Sequence, residues 1–134
     1  SIGADLVGMS TVPEAIAANL RLILAAFHRQ DPAMPVVLCG VFPSSAAQRR
    51  PADRIRSLNG LLRTVAAGQP QVTWLDLWTS FANPGGDAKP EEFPDLLHPN
   101  AAGYAKWAAA LRPCLAQWGF ETAEPNGGIR AKKD

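Results

Sequence analysis

Asp95 and His98 stand three residues apart in the stretch DLLHPNAAGY, and a proline follows the histidine directly. A histidine with an ordinary pKa near ~6.5 takes a proton from a hydroxyl and returns it to a leaving group, provided a carboxylate fixes its tautomer and stabilises the imidazolium. If the Leu96-Leu97 turn curls back, Asp95 reaches Nδ1 and Nε2 is left to face a cleft. Pro99 stiffens the exit and Asn100 is a good helix N-cap, so the imidazole hangs from a firm anchor. A D-x-x-H spacing also arises by chance as a surface ion pair, so the surrounding elements have to decide between the two.

Those elements alternate. Apolar residues Ile16, Leu20, Ile23, Leu24 and Phe27 recur at helical spacing and predict a helix from about 12 to 28, opened by the capping-box form Thr11-Val12-Pro13-Glu14 and closed by Asp31-Pro32. VVLCGVF, 36–42, is a continuous β-prone run of the kind buried on both faces of a parallel sheet. A polar loop, PSSAAQRRPAD, leads to a second helix over about 53–67 with Ile55, Leu58, Leu62 and Val65 on its apolar face, and QVTWLDLW is a second strand. A Pro/Gly-rich loop over 83–94 precedes the DLLHP element. A third helix follows, with Tyr104, Trp107, Ala108, Leu111, Leu115 and Trp118 in register and Pro113 predicting a kink. The polar stretch 121–134 reads as a disordered tail, leaving 1–120 as one domain.

Strand and helix in alternation predict an α/β fold. Two buried-type strands cannot cover each other's edges, so the chain reads as the second half of a larger doubly wound parallel sheet. In such sheets ligands bind beyond the carboxyl ends of the strands, the edge to which this order assigns Asp95 and His98.

Composition excludes more than it assigns. A chain of 134 residues with 47% hydrophobic residues can build one core, and a formal charge of +1 offers no field for nucleic acid or an anionic membrane surface. No apolar run approaches the ~20 residues of a membrane span, and no signal peptide is visible. The chain starts at Ser1 without a methionine, which leaves localisation open. Cys39 and Cys114 fit no metal-ligand spacing and read as buried free thiols. His28 suits a helix C-terminus, Asp76 a polar strand end, and Arg49-Arg50 a solvated loop, so none of these requires a function.

With these residues in place, PDLLHPNAAGYAKWAAAL resembles the C-terminal D-x-x-H-P block of the SGNH, or GDSL-type, serine hydrolases. IGADLVGMSTVPEAIAANLRLIL is similar to that family's third block and following helix. PVVLCGVFP, IRSLNGLLRTVA and VTWLDLW resemble its next strand, helix and last strand, and the similarity is greatest to the acetylhydrolase-like branch. The resemblance implies a flavodoxin-like α/β/α fold with its N-terminal strands missing here. It also implies a carboxylic ester hydrolase using a Ser-His-Asp triad, with His98 as base and acid and Asp95 as its orienting carboxylate. No metal or organic cofactor is implied. The substrate would be a small ester, an acylated carbohydrate among the candidates, and an exposed sheet edge would favour self-association.

The chain departs from the family where the nucleophile should be. No G-D-S-[LI] tetrapeptide occurs, which places the expected serine upstream of Ser1. The third block reads Gly3-Ala4-Asp5 in place of G-x-N-D; Gly3 remains an oxyanion candidate, while an ionised Asp5 would repel the charge that an asparagine amide stabilises. Ser10 reads as a helix-cap neighbour. Ser44 and Ser45, beyond the carboxyl end of the first strand, are candidates for a substrate loop. The competing reading is a catalytically inactive α/β module that binds carbohydrate or a protein partner in the same crevice.

Overall fold

The computed structural model describes residues 13–122 and 129–131. Helix α1, Pro13–Gln30, leads to strand β1, Val36–Cys39; a single 3₁₀ turn, Ala46–Gln48, precedes helix α2, Ala52–Ala67, and strand β2, Val72–Leu75, follows. After a long connection comes helix α3, Ala101–Ala116, and then β3, Phe120–Thr122, and β4, Ile129–Ala131. β1 and β2 run parallel with Leu38 opposite Trp74 and Cys39 opposite Leu75. The α/β fold read from the alternation of elements is therefore the one observed. β3, which starts at Phe120, pairs antiparallel with β4 inside the segment 121–134 whose composition reads as a tail.

Strand pleating sorts the sheet's side chains into two layers. Leu38 and Trp74 pack with Ile16, Leu20, Ile55, Leu58 and Leu62 of α1 and α2, and Val36 and Val72 continue that layer toward Ala17, Leu24 and Val65. Cys39 and Leu75 face the other way, onto Phe42, Leu77, Phe81, Phe93 and Trp107. Helices thus cover both faces of the parallel pair.

β1 is shorter than the apolar run predicts. Gly40 N–H still donates to Leu75 O at 2.9 Å, but the next peptide leaves the ladder. The Asn59 side chain of α2 takes over: its Oδ1 accepts from Val41 N–H at 2.7 Å and its Nδ2 donates to Val41 O at 3.1 Å. An amide side chain thus stands in for a strand and leaves no polar group of this buried residue unpaired.

The helical periods hold, but not every residue on an apolar stripe is buried: Tyr104 of α3 is exposed, Trp118 lies past the end of that helix, and α1 departs further. On α1, Ile16, Ala17 and Leu24 are buried, yet Leu22, Ile23 and Phe27 are 69%, 51% and 44% exposed. A period identifies an apolar stripe and does not by itself supply a covering element. Thr11 and the capping hydroxyl predicted there lie outside the described residues, as do Gly3, Asp5 and Ser10.

Candidate active site

The connection from β2 to α3 is anchored from inside by aromatic residues. Phe42, from the chain just past β1, meets Phe81, Phe93 and Trp107 edge-on at centroid distances of 5.1, 5.3 and 5.1 Å. Phe81 and Phe93 are wholly buried, so a segment that composition marks as a Pro/Gly-rich loop is tied to the core at two points. Such edge-to-face pairs contribute about 0.5–1.5 kcal/mol each beyond the area they bury.

Polar contacts then fix the loop's course. Asp76, just past β2, accepts from Trp78 and Thr79 N–H and from the Thr79 hydroxyl, which starts the first turn. Partial burial pushes this carboxyl upward; those hydrogen bonds, together with the Arg63 charge, outweigh it and hold Asp76 below its ordinary range. Further on, Asn100 N–H donates to Glu92 O at 2.9 Å and its Nδ2 to Glu91 O at 2.9 Å, while Oδ1 caps α3 by accepting from Gly103 N–H at 3.0 Å. Lys106 of α3 pairs with Glu92 Oε2 at 2.8 Å and donates to Ser80 O. The helix that Asn100 caps is therefore tied to the loop that leads to His98.

Within it, Asp95 and His98 meet. His98 Nδ1 lies 2.6 Å from Asp95 Oδ2, and Asp95 Oδ1 accepts from His98 N–H at 2.7 Å and Leu97 N–H at 2.9 Å. The curl depends on Leu96, whose φ of +60° lies in the left-handed region that costs a leucine on the order of 1–2 kcal/mol. The N–H of His98, then its side chain, then the N–H of Leu97 favour the ionised form and hold Asp95 well below the usual carboxylate range. His98's side chain is 70% exposed, and with Nδ1 engaged, Nε2 is the nitrogen open to a reacting group. The pair can accept a proton from a hydroxyl and stabilise the resulting imidazolium.

Ser44 and Ser45 sit behind this pair and are nearly inaccessible, at 2% and 3% exposure. The Ser44 hydroxyl donates to Leu96 O at 2.6 Å, and Ser45 Oγ accepts from Gln48 N–H at 3.3 Å as the N-cap of the 3₁₀ turn. Gln48, which no motif or spacing singles out, donates from Nε2 to Asp95 O at 2.8 Å. Arg49, at φ +59°, closes the 3₁₀ turn, and Arg50 donates to Gln48 O at 2.6 Å. His28 and Arg29 lie in the last turn of α1.

A cleft of about 340 Å³ opens between α2 and β2 beside Arg56, Arg63, Trp74, Asp76 and Trp78. Several of its groups are already engaged: Arg56 covers the Trp78 ring at 5.3 Å, Asn59 holds Val41, and Asp76 holds its own turn. Cys39 and Cys114 are free and half-buried, and burial pushes the Cys39 thiol up. Among the described residues no three His, Cys, Asp or Glu side chains converge as a metal site, and no helix is long and apolar enough to cross a membrane.

A parallel β-α-β unit with an Asp–His pair on the loop after its second strand is an α/β arrangement that presents titratable side chains beyond the carboxyl ends of the strands. Residues 1–106 match the GDSL-like Lipase/Acylhydrolase family, and the chain belongs to that family. Among curated proteins it is 25% identical over 111 residues to platelet-activating factor acetylhydrolase IB subunit alpha2 of Gallus gallus, covering 83% of this chain and 48% of that protein. A solved structure from Streptococcus pneumonia, described as a platelet activating factor, superposes with a TM-score of 0.78 at 22% identity, covering 84% of this chain and 56% of the other. That likeness is one of fold, consistent with a flavodoxin-like arrangement. The chain spans about half the length of the curated relative it matches.

Proposed function

We propose that this chain carries the acid and base of a Ser-His-Asp triad in a carboxylic ester hydrolase. The observation that carries the reading is the 2.6 Å contact between His98 Nδ1 and Asp95 Oδ2 on an accessible loop, with Nε2 free. His98 takes the proton of a serine hydroxyl as it attacks the ester carbonyl, and returns it to the departing alkoxide as the acyl-enzyme forms. Water then attacks the acyl-enzyme with His98 as base, and the carboxylic acid and free serine are released. Asp95 stays ionised and orients the ring.

The serine is proposed to come from outside these 134 residues. G-D-S-[LI] is absent from the sequence, and the hydroxyls of Ser44 and Ser45 are engaged with Leu96 O and Gln48 N–H. Gly3 is retained as an oxyanion candidate. The substrate class is a small acyl ester, as the name of the Gallus relative suggests. A fluorophosphonate, which modifies activated serines, tests the reading. Mixed with a segment bearing the G-D-S-[LI] block, wild-type chain should give labelling of that segment's serine, and His98→Ala should abolish it. Labelling that ignores His98 would remove His98 as the base, and no labelling in a complex shown to assemble would favour the alternative of an inactive binding module.

A further inference from the structure

We infer that Ser44 and Gln48 are positioning residues for the Asp95–His98 pair, acting through the strained turn at Leu96. The inference rests on the reading of His98 as a base and is tested without activity.

A leucine persists in the left-handed region only where its surroundings over-determine it. Here they do so from several directions. Leu96 N–H donates to Phe93 O at 2.8 Å, and the leucine side chain packs on the aromatic cluster of Phe42, Phe81 and Phe93. Its carbonyl receives the Ser44 hydroxyl at 2.6 Å, across 52 residues of chain, and the carbonyl of Asp95 receives Gln48 Nε2 at 2.8 Å. Two successive carbonyls of the D-x-x-H turn are thus held by one neighbouring loop. That loop is rigid in turn. Ser45 caps the 3₁₀ turn that carries Gln48, and Ser44 O accepts from Ala88 N–H at 2.8 Å.

The consequence for chemistry is specific. If the peptide carbonyls of Asp95 and Leu96 rotate, the carboxylate no longer faces Nδ1, and the proton on the neutral imidazole is free to move to Nε2. A ring protonated at Nε2 presents a donor where a base is needed, so the residues behind the loop choose the tautomer on which proton transfer depends. Neither Ser44 nor Gln48 has to touch substrate for this.

The test is the neutral tautomer of His98, read from its two ring nitrogens by long-range ¹H–¹⁵N correlation in the labelled 134-residue chain. His28, exposed at the end of α1, serves as the internal reference. Wild-type His98 should be mainly Nδ1–H. Losing the buried donor in Ser44→Ala should reduce the Nδ1–H to Nε2–H ratio by roughly fivefold, the weight of one hydrogen bond. Gln48→Glu, which replaces a donor by an acceptor at a half-exposed position and so disturbs the core less than Ser44→Ala, should reduce it in the same direction. Ser44→Thr, which keeps the hydroxyl, should retain most of the wild-type ratio. Variants that lower the melting temperature and leave the ratio unchanged would overturn the inference and make the brace purely structural. A His98 ratio already equal to that of His28 in wild type would overturn the underlying pair instead.

Discussion

Gly103, in the first turn of α3, lies so close to Glu92 that a Cβ at this position would stand 2.7 Å from the Glu92 carbonyl oxygen and 2.9 Å from Pro99 Cβ. The obstacle is backbone, which cannot step aside as a flexible side chain can. A glycine early in a helix ordinarily weakens it; here it allows the helix to press against the loop that presents His98. Gly103→Ala should destabilise the chain by about 1–3 kcal/mol, as overpacking does. Chemical denaturation checks this, and a neutral result would mean that the two segments separate easily.

Asn59→Asp isolates one half of the amide clamp on Val41. The aspartate still accepts from Val41 N–H but cannot donate to Val41 O, leaving a buried carbonyl unpaired beside a charge. A loss of about 1–3 kcal/mol is expected. Asn59→Ala removes both bonds and should cost at least as much, which denaturant midpoints at constant slope can rank.

Asp95 carries a pH prediction. Its folded-state pKa is depressed, by the His98 N–H first, then the His98 side chain and the Leu97 N–H. A depressed carboxylate stabilises the fold fully above its unfolded value of about 3.9, and that contribution disappears as the pH falls through the folded value. The side-chain ¹³C resonance of Asp95 should therefore show the ionised form persisting below the ordinary carboxylate value of about 3.9. Titration at that ordinary value would mean that the turn is not formed in solution.

The D-x-x-H-P-N element was legible because its determinants are local: an acid and a base three residues apart, a proline, and an N-cap serving its own helix. The brace was not. Ser44 meets Leu96 across 52 residues, and no period or spacing links them; the positive φ of Leu96 leaves no mark in its residue type. Phe81 and Phe93 were hidden by the glycines and prolines around them, which describe the backbone's turns and not the burial of the rings between. On α1, Ile23 and Phe27 kept the helical period but are not buried, because periodicity reports which residues share a face and not what packs on it.

That exposed stripe predicts behaviour. Among the described residues β1 pairs with β2 alone, and Leu22, Ile23 and Phe27 add apolar surface on α1. An open strand edge and an uncovered apolar stripe favour association. Light scattering should show the mean mass of the 134-residue chain rising with concentration, and Ile23→Lys with Phe27→Glu should suppress the rise. A monomer at all concentrations would show that this surface is tolerated in water.

If Asp95 and His98 are the acid and base of a serine esterase, as proposed, ester turnover should appear on reconstitution. Joined to a segment bearing the G-D-S-[LI] block, the chain should hydrolyse an activated acetyl ester. His98→Ala should lower kcat by at least ~10³-fold, since triad members act as a unit, and Asp95→Ala should cost less because it leaves the base in place. Turnover that survives His98→Ala, or robust turnover by the 134-residue chain alone that Ser44→Ala abolishes, would contradict the account.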